Sequence, residues 1–295
     1  MKSQAIAQGP AAHAGPDTPR ARDRAVKSAT ARPAVRRRPL LRLQQSIPRK
    51  VYVTLSILGF VLPLVAWELL SRSGLIDTMF LPTPGDVIEQ GWTWAHSSLA
   101  QDTWASIVRV VSGFVLAACL GVPLGVFIGS FKAVEGFFQP INDFVRYMPA
   151  AAFIPLMILW VGIGEGSKIA IIFIGVFFQI IVMVADVVRQ VPGSWLEASY
   201  TLGATRGEAL RLVIWRGSLP PLINILRVNM GWAWTYLVVA EMVAANKGLG
   251  YAILQAQRFM NTSTIFAGIL IIGVIGLLFD LFFRQLHRRL FPWLH

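Results

Sequence analysis

Apolar residues are concentrated in six stretches that are separated by shorter polar segments. Because a helix needs about 20 apolar residues to cross the hydrocarbon layer of a membrane, these stretches predict six membrane spans. They cover residues 51–70, about 106–129, 153–163, 168–188, about 222–242 and 265–283. The third stretch is short, but residues 137–147 lengthen it, and Pro140, Pro149 and Pro155 predict that it is broken. The pattern predicts an all-α, polytopic membrane protein.

The composition agrees with a membrane protein and places most of the positive charge in one tail. The chain of 295 residues is 55% hydrophobic and 14% charged, whereas soluble domains carry about 25% charged residues. Twelve of its 27 Lys and Arg residues lie within residues 1–50. Such a tail is not the basic face of a folded nucleic-acid-binding domain, so we predict no nucleic-acid partner.

Residues 1–48 are rich in Ala, Pro and Arg and show no apolar periodicity. A segment of that composition cannot bury a core, which predicts a disordered tail. Its three consecutive arginines, residues 36–38, also suit contact with anionic lipid headgroups.

The distribution of Lys and Arg predicts the orientation of the spans, because cytoplasmic loops carry an excess of positive residues. With the N-terminus in the cytoplasm, twenty Lys and Arg residues lie inside and four lie outside. Six spans return the C-terminus to the cytoplasm. The polar segment 193–220, between the fourth and fifth spans, is then also cytoplasmic.

Several kinds of chemistry are absent from the sequence. A single cysteine, Cys119, and four scattered histidines provide neither a disulfide nor metal-ligand spacing. No GxxxxGK[ST] phosphate loop is present, and the nearest stretch, residues 162–168, has the wrong spacing and predicts a tight turn. We therefore predict no catalytic residue, no metal and no bound cofactor, and no ATP hydrolysis by this chain.

Small residues recur every four positions along the second span and form one ridge on a helix. Such a ridge lets another helix approach closely. The sequence leaves open whether that helix belongs to the same chain or to a second copy. The ridge consists of Gly113, Ala117, Gly121, Gly125 and Gly129.

Ionisable residues within the spans are candidates for a solute pathway, because charge in a membrane normally faces protein or a wet cavity. Asp143 and Arg146 are spaced to pair on one helical face, as a pathway element or as a structural pair. Arg109 and Arg227 favour an anionic solute electrostatically. The alternatives for Arg227 and Arg109 are snorkelling or pairing with a carboxylate, the candidates being Glu241, Asp186 and Asp280.

Segment 193–220 predicts two short helices joined by a turn at Gly203, a residue that accepts positive φ. Leu219 and Pro220 are predicted to end the second helix where the chain enters the membrane. Two interpretations of the segment are open: an elbow that binds a partner and moves the adjoining span, or an amphipathic connector on the membrane surface.

Five sequence motifs resemble the nitrate/sulfonate/taurine branch of ABC importer permeases, over residues 58–293. The motifs are FLPTP at 80–84, PLMILWVGIGE at 155–165 with Lys168 following, EASYTLGATR at 197–206, WAWTYLVVAE at 232–241 and KGLG at 247–250. The resemblance implies a type I importer transmembrane domain, with a five-helix core plus an N-terminal helix. It divides the chain into a tail (1–48), a first span with its outer loop (49–104) and a permease core (105–295).

The resemblance also implies that segment 193–220 is the loop that couples the permease to a separate ATPase. Trp215 and Arg216 depart from the Leu-Pro that is common in this branch, which predicts a straighter and more basic exit from the loop. The residues assigned to the loop by resemblance are Glu197, Ala198, Ser199, Gly203, Ala204, Arg206, Leu219 and Pro220.

The function implied is that of an inner-membrane permease subunit for a small anion such as a sulfonate, taurine or nitrate. Its partners would be ABC ATPase subunits that carry ATP and Mg²⁺, an extracytoplasmic solute-binding protein, and a second permease copy in a homodimer. Two alternatives remain at this point: a stand-alone secondary transporter, for which inverted repeats are expected, and a membrane-anchored signalling protein.

Overall fold

A computed structural model describes residues 47–294, and all regular structure in that range is helical. The predicted disorder of residues 1–48 therefore falls almost wholly outside the described residues. The chain divides into two units between Phe60 and Val61, within the first helix. Every contact described below lies in the second unit.

The helices are numbered in chain order. They are α1 (Arg49–Arg72), α2 (Pro84–Ala95), α3 (Leu99–Ser130), α4 (Lys132–Val145), a 3₁₀ turn (Ala150–Phe153), α5 (Ile154–Val161), α6 (Glu165–Arg189), α7 (Gly193–Thr201), α8 (Arg206–Glu208), a π-helical segment (Ala209–Trp215), α9 (Arg216–Ala244), α10 (Leu249–Arg258), α11 (Thr262–Leu290) and a last 3₁₀ turn (Pro292–Leu294).

Four described helices, α1, α3, α6 and α11, are long and apolar enough to cross a membrane. Helix α4 and the segment Ala150–Val161 meet the same requirement together and are bent by 85° at the break between them. The predicted break is therefore confirmed beside Pro149 and Pro155, whereas Pro140 lies inside α4 and does not interrupt it. Pro149 precedes the 3₁₀ turn and Pro155 lies in the first turn of α5. The predicted fifth span, residues 222–242, lies in α9. Its polar residues keep α9 out of the helices that are apolar enough to cross a membrane. The predicted number of six membrane spans therefore stays a prediction.

Helices α3 and α6 form the main packing interface of the second unit. The small-residue ridge of α3 lies against β-branched side chains that recur every four residues along α6, all of them buried. A Cβ added to Gly125 would lie 2.8 Å from the Ile181 carbonyl oxygen, and one on Gly129 would lie 2.7 Å from that of Ala185. The ridge therefore serves packing within the chain. The side chains opposite it are Ile172, Val176, Ile180, Val184 and Val188.

The FLPTP motif forms the entry to α2 rather than a binding loop. Thr83 caps the helix in a reciprocal capping box with Asp86, and Pro84 occupies the first helical position. Trp67 Nε1 donates to the Pro82 carbonyl oxygen at 2.9 Å, which ties the motif to α1.

Candidate functional site

The first half of segment 193–220 is an exposed helix that ends in a tight turn. Helix α7 has no buried residue. Gly203 follows it with φ +85°, so the predicted turn is confirmed. Trp195 is 53% exposed and Leu202 is 88% exposed, which leaves large apolar side chains on a polar segment. Contact with another protein is a common reason for such exposure.

The second half of the segment is one continuous helical path. Thr205 and Glu208 form a capping box at the start of α8, and the helix then passes through the π-helical segment into α9. The prediction that Leu219 and Pro220 end this helix is wrong, because Pro220 and Pro221 lie inside α9.

Two features accompany the passage of the helix through its prolines. A π-helical segment, in which the hydrogen bonds span five residues, precedes them and changes the backbone register. Just before Pro220, which has no N–H, the Ser218 hydroxyl donates to the Trp215 carbonyl oxygen at 3.1 Å. The chain therefore leaves the loop as uninterrupted helix, and the straighter exit expected from Trp215 and Arg216 stays a prediction.

Segment 193–220, its two helical halves joined at Gly203, is called the elbow below. The residues assigned to the coupling loop lie on both halves of it. Leu196 and Leu210 pack against the hydrophobic core and fix the elbow to the bundle. The exposed members are Glu197, Ala198, Gly203 and Arg206, and the half-buried members are Ser199, Ala204, Leu219 and Pro220.

A buried ion-pair cluster lies at the opposite end of α3, α6 and α9. Its centre is Arg109, which is 1% exposed, and Glu241 beside it is fully buried. Arg109 Nη1 donates to Glu241 Oε1 at 2.6 Å and to the Lys247 carbonyl oxygen at 2.8 Å. Its Nε and Nη2 form a two-pronged contact with Glu165, which also accepts from Lys168 Nζ at 3.0 Å.

The same cluster holds the start of α10. The first N–H groups of a helix have no acceptor within the helix, and here side chains of α3 and α9 supply the acceptors. Ser106 also donates to Glu241 Oε1 at 2.8 Å. The three contacts are Gly248 N–H to Asp102 Oδ1 at 2.9 Å, Leu249 N–H to Ser106 Oγ at 2.9 Å and Gly250 N–H to Glu241 Oε2 at 2.8 Å.

Three of the motifs that carry the family resemblance meet at this cluster: the end of 155–165 with Lys168, the end of 232–241, and 247–250. The prediction missed Asp102 and Ser106. A signal for them exists, because they continue the small-residue ridge toward the start of α3, at the spacing 102, 106, 109 and 113.

Arg109 and Glu241 neutralise each other out of contact with solvent. Their place on a solute pathway therefore stays a prediction, and one that this geometry does not favour.

The remaining pathway candidates lie in half-exposed ion pairs. Asp143 and Arg146 pair at 3.2 Å between Oδ1 and Nε, as their spacing predicts. Arg227 lies 3.4 Å from Asp280 of α11, one of the three partners considered for it. The structure thus brings Arg109 and Glu241 together, and keeps Arg146 and Arg227 in separate pairs.

The family model described as binding-protein-dependent transport system inner membrane component matches residues 121–292, and the chain belongs to that family. It is therefore a permease subunit of an ABC transporter, integral to the inner membrane, and ATP hydrolysis belongs to a separate subunit. This membership replaces the secondary transporter and the signalling protein as interpretations.

Three permeases of other organisms are similar to this chain over most of their length. The taurine transport system permease protein TauC of Escherichia coli is 36% identical over 258 residues, covering 85% of this chain and 94% of that protein. The putative aliphatic sulfonates transport permease protein SsuC of Bacillus subtilis is 34% identical, covering 80% and 87%. The nitrate import permease protein NrtB of Synechocystis is 28% identical, covering 78% and 86%.

A solved structure shares the fold. A chain of the MetNI methionine ABC transporter, in an inward-facing conformation, matches with a TM-score of 0.59 and 23% identity. The match covers 65% of this chain and 95% of that chain.

Proposed function

We propose that this permease imports a small solute with an anionic head of the sulfonate or nitrate type. It works as a homodimer with its termini in the cytoplasm. An extracytoplasmic binding protein delivers the solute, and two ATPase subunits dock on segment 193–220. ATP binding moves the elbow, the elbow moves α9, and the pathway alternates between its two openings.

The observation that carries the proposal is the elbow itself. Helix α7 has no buried residue and exposes most of its side chains, while the path that follows Gly203 runs without a break from Arg206 into the long helix α9. A push on α7 would therefore pass through the short turn at residues 202–205 and then through continuous helix into α9. The alternative, a connector lying on the membrane surface, does not need so direct a mechanical connection.

The solute class is supported by the names of the relatives and by the chemical group that the named solutes share. Taurine, aliphatic sulfonates and nitrate are the solutes in the names of three similar permeases. All three carry an oxyanion whose oxygens accept hydrogen bonds.

Docking is tested by co-purification of the ATPase with tagged permease. Gly203→Asp keeps a residue type that tolerates positive φ but adds charge at the tip of the elbow, and Glu197→Lys reverses charge on α7. Both variants should lose the ATPase. Two matched controls should retain the ATPase. Gly74→Asp matches the first variant, because Gly74 also has a positive φ, +73°, and open space around it. Glu89→Lys on α2 matches the second, because the Glu89 carbonyl accepts from the Thr93 hydroxyl as the Glu197 carbonyl accepts from Thr201. Retention of the ATPase by both elbow variants would overturn the docking site.

The solute class is tested by uptake of labelled taurine, alkanesulfonate and nitrate in cells with and without the gene. Uptake of at least one should depend on this chain, on the ATPase and on the binding protein. Indifference to all three would remove the anion from the proposal and leave the permease assignment intact.

A further inference from the structure

A cavity of about 170 Å³ lies between α4, α6 and α9, beside the break in the third span. It is separate from the Arg109 cluster, whose residues do not line it. The side chains that matter to its chemistry belong to Arg146, Phe178, Gln179, Trp232 and Tyr236, with Gly175 at its wall.

The cavity exists because of two features of the backbone. The bend between α4 and the 3₁₀ turn carries Arg146 away from the axis of the following helix. Gly175 lets the ring of Tyr236 lie directly against α6, since a Cβ at that position would come within 2.6 Å of Tyr236 Cγ. Any larger residue at Gly175 would push the ring into the cavity.

The position of Gln179 indicates that water or solute enters this space. Gln179 lies near the middle of α6, which contains an 18-residue window with a mean hydropathy of 2.7, and it is exposed. An amide facing hydrocarbon would leave its hydrogen bonds unmet, which costs several kcal/mol. A polar side chain at this depth therefore belongs in a wet cavity.

The polar side chains that line the cavity are all hydrogen-bond donors. Arg146 contributes a guanidinium, Gln179 an amide, Trp232 an indole N–H and Tyr236 a hydroxyl. The lining contains one cation and no carboxylate among the described residues. Oxyanions accept hydrogen bonds and cannot donate them, so the lining complements such a head group.

Arg146 pairs with one carboxylate, whereas Arg109 pairs with two. An arginine that binds an anion must keep N–H donors free of carboxylates. Asp143 binds the Nε of Arg146 at 3.2 Å, and its Nη2 donates to the Tyr147 hydroxyl at 3.1 Å. No second carboxylate pairs with it among the described residues, and its side chain is 32% exposed. The planar guanidinium therefore keeps N–H donors for an oxyanion.

We propose that this cavity is a subsite of the solute pathway, where Arg146 and Gln179 hold the anionic head of the transported solute and the rings of Trp232 and Tyr236 cover the rest of it. This inference rests on the proposed function, since it assigns the place in the permease where the anion binds.

The first test compares uptake of labelled taurine or alkanesulfonate by the complete transporter, normalised to the amount of assembled complex. Arg146→Gln should lower uptake about tenfold or more, because a charge-assisted hydrogen bond is lost, and Arg146→Lys should restore part of it. The control Arg72→Gln removes an arginine from an exposed i, i+4 pair with Glu68 outside the cavity and should leave uptake unchanged. Wild-type uptake by Arg146→Gln would overturn the subsite while the importer function stood.

The second test does not depend on Arg146. Because Cys119 is the chain's one cysteine, Cys119→Ala gives a cysteine-free background for Gln179→Cys. A small anionic methanethiosulfonate reagent should label Cys at this position in the assembled complex, and a transported sulfonate should slow the labelling. A cysteine that resists the reagent, or labelling that the solute does not slow, would contradict the subsite. Absence of anion uptake by the wild type would instead overturn the solute class and the subsite with it.

Discussion

Two glycines with positive φ stand at opposite ends of the same bundle in opposite surroundings. Gly248, at φ +121°, precedes α10 within the Arg109 cluster, and a Cβ there would lie 2.7 Å from Arg109 Nη1 and overlap the Glu241 carboxylate. Gly203, at φ +85°, ends α7 on the elbow, and a Cβ there would meet nothing within 4 Å. Both allow the chain to turn beside a helix terminus, but one turn is enclosed by charge and the other is open.

The difference shows how the two ends are stabilised. At the enclosed end every buried polar group must find its partner within the protein, so α3, α6, α9 and α10 share one cluster. At the open end the helix termini use local capping and leave side chains free to bind a partner. We expect substitutions at the enclosed end to cost stability, and substitutions at the elbow to cost association.

The largest effect is expected at Arg109. Arg109→Met leaves Glu241 buried without its cation, and removal of one partner from a buried pair costs about 3–5 kcal/mol. The thermal unfolding midpoint of the purified permease should fall strongly. Arg284→Met, which breaks an exposed pair with Asp280, should cost at most about 1 kcal/mol. Equal midpoints for the two variants would remove the distinction between the enclosed cluster and the surface.

A double variant sharpens this result. When Glu241→Gln accompanies Arg109→Met, no uncompensated buried charge remains at that position, so part of the loss should be recovered. The coupling between the two substitutions, measured as a double-mutant cycle, should be large and favourable. Strict additivity would mean that the pair does not act as a unit.

The two glycines give a direct comparison. Gly248→Ala combines backbone strain with an overlap against Glu241, so a loss of about 3 kcal/mol or more is expected. Gly203→Ala meets open space and carries the backbone cost alone, about 1–2 kcal/mol. Unfolding midpoints of both variants check the order, and a larger loss at Gly203 would reverse it.

The smallest effect concerns the cap of the elbow's second helix. The Thr205 backbone N–H donates to Glu208 Oε2 at 2.8 Å, and this contact and the Thr205 hydroxyl lower the pKa of Glu208. Because the pKa is lower in the folded state, the contribution is complete above the unfolded-state pKa. It is lost as the pH falls through the folded-state pKa.

Amide hydrogen exchange of residues 205–209, corrected for the intrinsic effect of pH, checks this prediction. Protection should decrease on acidification in the wild type and should already be low and independent of pH in Glu208→Ala, which has no acceptor for the Thr205 N–H. Asp86→Ala, which removes the corresponding acceptor of the α2 capping box, should leave residues 205–209 unaffected. Equal protection in the wild type and Glu208→Ala at neutral pH would contradict the role of the cap.

Local signals were sufficient for much of this molecule. The apolar stretches predicted the long helices, the prolines predicted the break in the third span, and Gly203 predicted the turn of the elbow. The ridge from Gly113 to Gly129 predicted a close helix contact, because small residues at every fourth position can only form one face. Each of these features depends on residues that are near one another in the chain.

The Arg109 cluster and the path through Pro220 lacked such a signal. Arg109 and Glu241 are 132 residues apart, so no spacing rule connects them, and the sequence alone left several carboxylates as partners for the arginines. Pro220 predicted a helix end because proline normally removes a backbone hydrogen bond. In the structure a π-helical segment lies directly upstream, and the helix continues through Pro220.

The sequence by itself determined that this chain is a helical membrane protein that carries the motifs of a permease family, since hydrophobic length, charge asymmetry and motif order are properties of neighbouring residues. Only the tertiary structure decided which arginine is enclosed and which lies beside a cavity. Arg109 and Arg146 are the same residue type in similarly apolar surroundings along the chain. What separates them is the number of carboxylates that folding brings within hydrogen-bonding distance.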